Sequence, residues 1–176
     1  MYKKYVKRIL DIIFSIILIV ILSPIMIIVG LISLITTGNI IFEQNRDGLN
    51  KKSFTMYKFK SMKDNHEIPK IMHIIRSLGL DEISQLFNIL KGDMSFVGPR
   101  PFITNEPLPD DYIDPIIYTV RPGVVGLATA KGRRRVSHTQ RLEYDKEYVL
   151  NLKFSLDIYI IFETLIVILK QNTRGD

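Results

Sequence analysis

The 176-residue sequence contains no cysteine and only three histidines. Without cysteine, the chain can form no disulfides, no thiolate metal sites and no cysteine nucleophile. His66, His73 and His138 are not spaced as metal ligands, so we interpret them as surface or structural residues. Internal repeats are also absent. A hydrophobic content of 47% excludes disorder as the main state, and the length corresponds to about one domain.

Ionisable side chains are absent from residues 12–35, a run of 24 apolar or uncharged residues. Basic residues precede this run, so a secretory signal peptide is one interpretation. The run is longer than the apolar region of a signal peptide, and no small-residue cleavage site follows it, so a membrane anchor is favoured. A hydrocarbon core of about 30 Å needs about 20 helical residues, so the length alone would allow a span.

Ser23 and Pro24 divide the apolar run into two halves of 11 residues each. Pro24 lacks a backbone N–H and clashes with the preceding turn, which kinks or breaks a helix, while the Ser23 hydroxyl can bond back to a carbonyl one turn earlier. Each half would be about 16 Å long, or half a bilayer. This length fits a re-entrant helix-break-helix that returns to the same face, and the alternative is a kinked spanning helix.

Positive charge lies on both sides of the apolar run and distinguishes these alternatives. Residues 1–36 carry a net charge of +3, and so does the remainder of the chain. A spanning helix would place one positive flank outside, against the positive-inside tendency, whereas a re-entrant helix keeps both flanks in the cytoplasm. We therefore predict a re-entrant membrane hairpin at 1–37 and a cytoplasmic, membrane-associated domain at 38–176.

Hydrophobic periodicity in the remaining chain predicts an α+β, mostly helical fold with a short β-hairpin. Apolar residues at helical spacing predict a helix from Leu80 to Leu90, which Gly92 stops. The predicted elements are strands at 40–44 and 54–59, a turn at 45–53, a mobile polar connection at 63–73, one or two helical turns within 110–118, and helices at 80–90, 141–150 and 154–169. The last helix is apolar but short, so it either packs on the domain or lies at the membrane interface.

The first candidates for chemistry are Asp81 and Glu82, at the start of the predicted helix. Adjacent residues lie about 100° apart on a helix, so one carboxylate can face a cleft while the other flanks it. The helix macrodipole favours an ionised carboxylate and nearby phosphate oxygens at this end. Asp81 can therefore act as a nucleophile or as a Mg²⁺ ligand. The alternative is an ordinary pair of first-turn helix charges.

Basic residues elsewhere are candidates for binding phosphate. Arg100 lies between two prolines, where its preset backbone loses less freedom when the guanidinium grips a phosphate; the alternative is a surface arginine that pairs with a carboxylate. The loop at 131–135 can hold a nucleotide phosphate or anionic lipid headgroups, or is simply solvated. The chain has no basic recognition helix, which argues against nucleic acid. The basic candidates are Lys58, Arg76, Arg100, Arg121, Lys131, Arg133, Arg134 and Arg135.

Six short motifs follow one another along nearly the whole chain. They are KRILD at 7–11, FEQNRDG at 42–48, YKFKSM at 57–62, LDEISQLFN at 80–88, GDMSFVGPRP at 92–101 and RPGVVG at 121–126. In this order they resemble the motifs of the bacterial sugar transferase family, the small monotopic phosphoglycosyl transferases that start glycoconjugate assembly on polyprenyl phosphate. Any one motif alone would be weak, but the ordered set is specific.

The resemblance implies a re-entrant helix broken at Ser23-Pro24 and a membrane-face active site on the cytoplasmic side of the bacterial inner membrane. Asp81 corresponds to the family's nucleophile and Glu82 to its dyad partner. Mg²⁺ on the substrate diphosphate is the expected cofactor, with these two carboxylates as candidate ligands; Glu82 either holds the metal or orients the incoming phosphate. The basic positions associated with the family's active site are Lys58, Arg76, Arg100 and Arg133.

The reaction implied is transfer of a sugar 1-phosphate from a nucleoside-diphosphate sugar, with a UDP-sugar expected, to polyprenyl (undecaprenyl) phosphate. An aspartyl-phosphosugar on Asp81 would be the intermediate, and polyprenyl-diphospho-sugar and UMP the products. Such a reaction begins the synthesis of exopolysaccharide, lipopolysaccharide or capsule. The expected partners are the two substrates and membrane lipids, and the sequence leaves homodimer formation open. The alternatives are a non-catalytic basic membrane adaptor and a metal-dependent membrane phosphatase.

The sequence departs from the usual family pattern in two places. Thr129 stands where the family usually has glutamine, after the two glycines of RPGVVG. Lys60 and Ser61 replace the common arginine and threonine before Met62. The first departure is near the expected nucleotide end of the site and bears on sugar or nucleotide preference, whereas the dyad is unchanged.

Overall fold

The structure, a computed structural model, describes residues 2–105, 114–132 and 137–172. The helices are α1 (Lys7–Thr37), α2 (Lys70–Ser77), α3 (Gln85–Lys91), α4 (Leu127–Gly132), α5 (His138–Leu150) and α6 (Phe154–Asn172). The strands are β1 (Ile41–Asp47), β2 (Ser53–Phe59), β3 (Ser95–Val97) and β4 (Gly123–Val125). A π-helical turn (Tyr2–Val6) and 3₁₀ turns at Leu49–Lys51, Leu80–Glu82 and Pro115–Thr119 complete the described elements. This architecture confirms the predicted α+β, mostly helical fold.

Pro24 lies inside α1 and does not interrupt it. The sequence predicted two helical halves separated by a break at Ser23-Pro24, whereas the structure has one continuous helix that contains Pro24. A proline at position 24 leaves the carbonyl of Val20 without its helical donor, and the Ser23 hydroxyl donates to that same carbonyl at 2.8 Å. The helix ends at Gly38, whose φ of 81° allows its N–H to bond to the carbonyl of Leu34.

One face of α1 packs on the domain along most of its length. Its buried residues are Lys7, Asp11, Ser15, Met26, Val29, Gly30 and Ser33. Between them, Leu18 and Leu22 pack against the cluster around Met94. The opposite face is apolar and exposed, and among the described residues α1 is the one helix long and apolar enough to cross a membrane. Only 11% of its most apolar window is buried, which distinguishes it from a core helix of a soluble protein.

Strands β1 and β2 form the predicted antiparallel hairpin, with Ile41 opposite Phe59 and Asp47 opposite Ser53. Asn88 of α3 is fully buried and bonds the edge of β2. Its side-chain oxygen accepts the Tyr57 N–H at 3.0 Å, and its amide donates to the Thr55 carbonyl at 2.7 Å. Asn88 therefore takes the place of a third strand and attaches α3 to the hairpin.

The segment at 70–91 differs from the predicted elements in two ways. Residues 70–77, expected to lie partly in a mobile connection, form α2, which begins after Pro69 and buries Met72 and Ile75 against α1 and β2. The helix predicted at 80–90 is divided into a 3₁₀ turn and α3. Between them the backbone keeps helical dihedral angles but forms 3₁₀-type bonds, from the Leu86 N–H to the Ile83 carbonyl and from the Phe87 N–H to the Ser84 carbonyl. Gly92 ends α3 with a φ of 97°, as predicted.

A parallel pair, β3 and β4, was not predicted and joins two motifs that are distant in sequence. The Gly98 N–H bonds to the Val125 carbonyl at 3.0 Å, and the Gly123 N–H bonds to the Pro99 carbonyl at 2.9 Å. Both glycines are needed, because a Cβ on Gly123 would lie 2.0 Å from the Gly98 nitrogen and a Cβ on Gly98 would lie 2.5 Å from the Arg121 carbonyl oxygen. This contact places the segment at 98–101 beside the segment at 121–126.

Helices α5 and α6 cover this strand pair, and both confirm predicted helices. Asp145 of α5 is 1% exposed and accepts the backbone N–H of Arg100, while the Arg141 guanidinium donates to the Arg100 carbonyl at 3.1 Å. Burial raises the pKa of the Asp145 carboxyl to about 7, and the nearby charge of Arg141 opposes that rise. The two side chains of α5 therefore hold the backbone of Arg100 on both sides.

Replacing Gly123 with alanine should separate β3 from β4, because the new methyl group would lie 2.0 Å from a backbone nitrogen. We expect the free energy of unfolding to fall by more than about 3 kcal/mol, beyond ordinary overpacking, when detergent-solubilised protein is chemically denatured. Gly38→Ala is the control: it has a φ of +81° but nothing within 4 Å, so only backbone strain of about 1–2 kcal/mol is expected. Equal losses would contradict the role assigned to the strand contact.

Replacing Asp145 with asparagine should stabilise the protein at high pH. Because the pKa of this carboxyl is about 7 in the folded chain and 3.8 in its ordinary state, stability falls as pH rises between these values, by about 1.4 kcal/mol per pH unit. Asp145→Asn removes this loss, so its advantage over the wild type should be absent below pH 3.8 and largest above pH 7.

Unfolding curves across this pH range measure the difference. Asp114→Asn is the control, because hydrogen bonds from Lys146 and from the Ile116 N–H lower the pKa of Asp114. Its effect should have the opposite sign: a small loss of stability that is present at neutral pH and disappears in acid. An Asp145→Asn advantage that does not vary with pH would contradict the assigned titration.

Candidate active site

Asp81 and Glu82 lie on the 3₁₀ turn between α2 and α3. Gly79, with a φ of 71°, turns the chain from α2 into this segment. Leu80 and Ile83, on either side of the two acids, pack into the hydrophobic cluster shared by α1, β2 and α2. The core thus fixes the backbone of the acidic pair, and Asp81 itself retains 9% of its surface exposed.

Lys58, near the end of β2, reaches across to the acidic pair. Its Nζ lies 2.6 Å from Oε1 of Glu82, and the two side chains are 20% and 33% exposed. These two groups are more exposed than Asp81 and form the outer part of the cluster. The structure therefore brings Lys58, one of the basic candidates, into contact with the acidic pair that the sequence predicted.

The charges around Asp81 act in opposite directions. Burial raises the pKa of this carboxyl, and the neighbouring Glu82 carboxylate raises it further, whereas Lys58 and Arg76 lower it. The sequence had suggested that a helix macrodipole would keep Asp81 ionised. Because α3 begins only at Gln85, Asp81 lies before its first turn. The anion is favoured by the charges of Lys58 and Arg76 and, to a smaller extent, by a hydrogen bond from the backbone of Asp81 itself.

Other predicted site residues lie elsewhere or outside the described residues. Arg76 is exposed on α2 and acts on Asp81. Arg100 is exposed after β3 and acts on the pKa of Asp145, whereas it is not among the groups that act on the pKa of Asp81. Arg133 lies outside the described residues, as do residues 134–136.

The remaining basic candidates have structural partners. Arg121 donates from Nε to the Gly92 carbonyl at 2.8 Å. Lys131 forms an ion pair with Glu147 at 3.0 Å. Of the basic residues placed by the structure, Lys58 and Arg76 are therefore those that act on the acidic pair.

The donor set of the cluster fits a magnesium ion that is completed by substrate. Within residues 2–105, 114–132 and 137–172, no group of three or more His, Asp or Glu side chains could hold a metal by itself. Mg²⁺ is commonly bound by one or two carboxylates together with waters and substrate phosphates. Asp81 and Glu82 supply two such carboxylates, and their mutual repulsion would be relieved by a divalent cation.

Sequence reasoning missed the residues that support the candidate site. Asn88 lies within the LDEISQLFN motif, but its bonds to β2 give no periodic signal. Asp145 and Arg141 hold the Arg100 backbone from more than 40 positions away. The one available signal was that Arg141 and Asp145 are charged residues on α5, a helix that also buries Tyr148 and Val149.

Comparison with known proteins identifies similar chains. The family described as bacterial sugar transferase matches residues 2–171. Undecaprenyl-phosphate galactose phosphotransferase of Salmonella typhimurium is 34% identical over 96% of this chain and 41% of the relative. UDP-glucose:undecaprenyl-phosphate glucose-1-phosphate transferase of Klebsiella pneumoniae is 33% identical over 90% of this chain and 39% of the relative.

The chain therefore spans about two fifths of the length of these two relatives. The uncharacterized sugar transferase EpsL of Bacillus subtilis is closer in length: it is 35% identical over 90% of this chain and 85% of the relative. Since the family match extends over almost every residue, the chain belongs to the bacterial sugar transferase family.

Proposed function

We propose that the protein transfers a sugar 1-phosphate from a UDP-sugar to undecaprenyl phosphate through a covalent intermediate on Asp81. The observation that carries this proposal is the cluster of Asp81, Glu82 and Lys58, with Arg76 close enough to act on the pKa of Asp81. The cluster adjoins the membrane helix, because Leu80 and Ile83 share a hydrophobic cluster with Met26 of α1. A soluble diphosphate and a lipid phosphate could both reach such a position.

Names of the relatives support the substrate class. The Salmonella relative is named for galactose and the Klebsiella relative for UDP-glucose, and both names include undecaprenyl phosphate. Because two sugars occur among similarly distant relatives, we propose a UDP-sugar without assigning the sugar. Thr129, the departure from the family pattern, is exposed on α4 and is a position to vary when sugar preference is mapped.

In the first half-reaction, a carboxylate oxygen of Asp81 attacks the phosphorus that bears the sugar. A new O–P bond forms, the P–O bond of the diphosphate breaks, and UMP leaves with the electron pair. Lys58 and Arg76 stabilise both the Asp81 anion and the negative charge of the diphosphate. Mg²⁺, held by the carboxylates of Asp81 and Glu82, would supply further charge neutralisation at the diphosphate.

In the second half-reaction, an oxygen of the lipid phosphate attacks the phosphorus of the aspartyl phosphate. The bond from Asp81 to phosphorus breaks, the carboxylate is regenerated, and the polyprenyl-diphospho-sugar leaves. Asp81 is only 9% exposed, and Lys58 is bound to Glu82, so substrate must open the outer part of the cluster. We propose that phosphate oxygens replace Glu82 as the partner of Lys58, which uncovers Asp81 and frees Glu82 for the metal or for the incoming phosphate.

The contacts of α1 support shallow insertion into a membrane, which we propose is the inner membrane at its cytoplasmic face. The start of the helix is tied to the domain by the Lys7–Asp157 ion pair at 2.6 Å, and near its other end Gly30 lies against Phe59. A helix that crossed the bilayer would have its ends on opposite sides, whereas both ends of α1 contact one domain. We therefore propose that α1 is re-entrant and that its exposed apolar face enters one leaflet.

Replacing Asp81 with asparagine should abolish transfer, because an amide cannot form the acyl phosphate. Turnover should fall at least about 1,000-fold, as it does when other covalent nucleophiles are removed. Purified wild type, incubated with radiolabelled UDP-glucose or UDP-galactose and without lipid, should retain label that hydroxylamine releases, and adding undecaprenyl phosphate should move the label to lipid. Asp64→Asn, the same change at a side chain 91% exposed, is the control and should remain fully active.

Several results would contradict this proposal. Full turnover by Asp81→Asn would exclude Asp81 as the nucleophile. Release of UMP by the wild type with neither adduct nor lipid product would indicate a phosphatase. Absence of UMP release with every UDP-sugar tested would favour a non-catalytic membrane adaptor.

Single cysteines introduced at both ends of α1 should react from the same side of the membrane. The natural chain has no cysteine, and Lys3 and Asn39, which flank α1, are both exposed. In inverted vesicles, which expose the cytoplasmic face, Lys3→Cys and Asn39→Cys should both react with an impermeant maleimide, as should Asn65→Cys in the domain. Labelling of Lys3→Cys only after the membrane is permeabilised would contradict the re-entrant path.

A further inference from the structure

A cavity of about 420 Å³ opens at the start of α1, separate from the Asp81 cluster. Arg8, which lines it, donates to the carbonyls of Ile89 and Leu90 at the C-terminal end of α3. Asp81 precedes the opposite end of α3, and a seven-residue helix is about 10 Å long. The cavity and the candidate active site therefore lie toward opposite ends of the same helix.

Two guanidinium groups are fixed close together at this cavity. Arg8 is held by the carbonyls of Ile89 and Leu90 at 2.5 and 2.9 Å, and Arg121 is held by the carbonyl of Gly92 at 2.8 Å. These acceptors belong to one turn of backbone and carry no net charge. The positive charges of Arg8 and Arg121 are close enough to act on each other. Among the residues that the structure describes, the two like charges are thus kept together without a carboxylate bound between them.

Nearby acidic groups are already hydrogen-bonded to other residues. Asp11, which lines the cavity, accepts from the Ser95 hydroxyl at 3.0 Å and from the Phe96 N–H at 3.2 Å. Asp93, the other acid that acts on Arg8, accepts from the Asn88 amide at 3.4 Å.

Two lysines also line the cavity, and one of them adds to its positive charge. Lys7 is neutralised by its ion pair with Asp157. Lys3 contributes an ammonium that lies 3.4 Å from the Thr119 hydroxyl in an exposed position. Among the described residues that line the cavity, three positive charges therefore remain against one negative charge: those of Lys3, Arg8 and Arg121 against that of Asp11.

These groups match the chemistry of a phosphate. Arginine forks bind phosphate oxygens bidentately, and a lysine and a hydroxyl at the opening can complete the contacts. Leu49 and Leu152 form apolar parts of the wall. The exposed apolar face of α1 begins at Ile9, directly after Arg8, and continues at Ile13. The cavity therefore lies beside the surface that we propose enters the leaflet.

We propose that this cavity binds a phosphate group, carried by a membrane lipid or free in solution, at a site separate from Asp81 and Glu82. The phosphate oxygens would contact the two fixed guanidinium groups and the exposed ammonium of Lys3. None of its residues belongs to the Asp81 cluster, so this proposal does not rest on the proposed transferase reaction.

Thermal unfolding of the detergent-solubilised protein tests the proposal, because a ligand that binds the folded chain raises the unfolding midpoint with its concentration. The probes are dihexanoyl phosphatidic acid and inorganic phosphate, with dihexanoyl phosphatidylcholine as the zwitterionic comparison. A rise with phosphatidic acid alone supports a lipid phosphate, and a rise with inorganic phosphate as well supports a phosphate site that does not require the lipid. No rise with either anion would overturn the proposal.

Two variants locate the binding. Lys3→Glu reverses the charge at the opening, and Thr119→Glu places a carboxylate beside it; both side chains are exposed, so the unliganded midpoint should change little. Each variant should weaken the apparent Kd for the anionic probe at least about tenfold. Lys63→Glu makes the same charge change after β2 and should bind as the wild type does. Wild-type affinity in both cavity variants would place the phosphate elsewhere and overturn the proposal.

Discussion

The buried carboxylate of Asp157 attaches the start of the membrane helix to the domain, and the positions of the other elements depend on it. One of its oxygens accepts from Lys7 and Tyr2, and the other accepts from Tyr148 of α5. Removing one partner of a buried ion pair leaves an uncompensated charge and costs about 3–5 kcal/mol. With this end anchored, the inner face of α1 is aligned on β2, α2 and α3, the elements that carry or surround the acidic pair.

The acidic pair lies between an apolar interior and a basic exterior, and both are needed for the proposed chemistry. Leu80 and Ile83 bury the turn, which raises the pKa of Asp81, and the adjacent carboxylate has the same effect. Lys58 and Arg76 act in the opposite direction and favour the anion that can attack phosphorus. In the proposed reaction, the basic groups that bind the diphosphate would thus also help to keep the Asp81 carboxylate ionised.

Local signals predicted much of the fold. Alternating strands around Gly48, the stop at Gly92 and the long uncharged run at 12–35 each reflect short-range constraints that a sequence displays directly. The ordered motifs predicted the family and the acidic pair. The sequence also predicted that the Ser23 hydroxyl would bond one turn back, which the structure bears out at Val20.

Contacts between distant residues were not predictable in this way. Strands β3 and β4 have three residues each and pair in parallel across more than 25 positions, so neither shows a recognisable period. Helix α2 was missed because its eight residues follow a polar segment and acquire their burial only from α1 and β2. The position of the Arg100 backbone likewise depends on Asp145 and Arg141, whose contacts no local pattern reveals.

The hydrophobic cluster between α1 and the turn that carries Asp81 and Glu82 has a mechanical consequence for the proposed reaction. Met26 and Val29 face the domain from a helix whose other side is bare and apolar, and they share one close-packed cluster with Leu80 and Ile83. Close-packed interiors transmit strain rather than absorb it. A leaflet that changes thickness or lateral pressure, and so tilts α1, would displace the backbone of Asp81 as well. Bilayer composition would then influence the reaction rate through force, independently of which lipid is the acceptor.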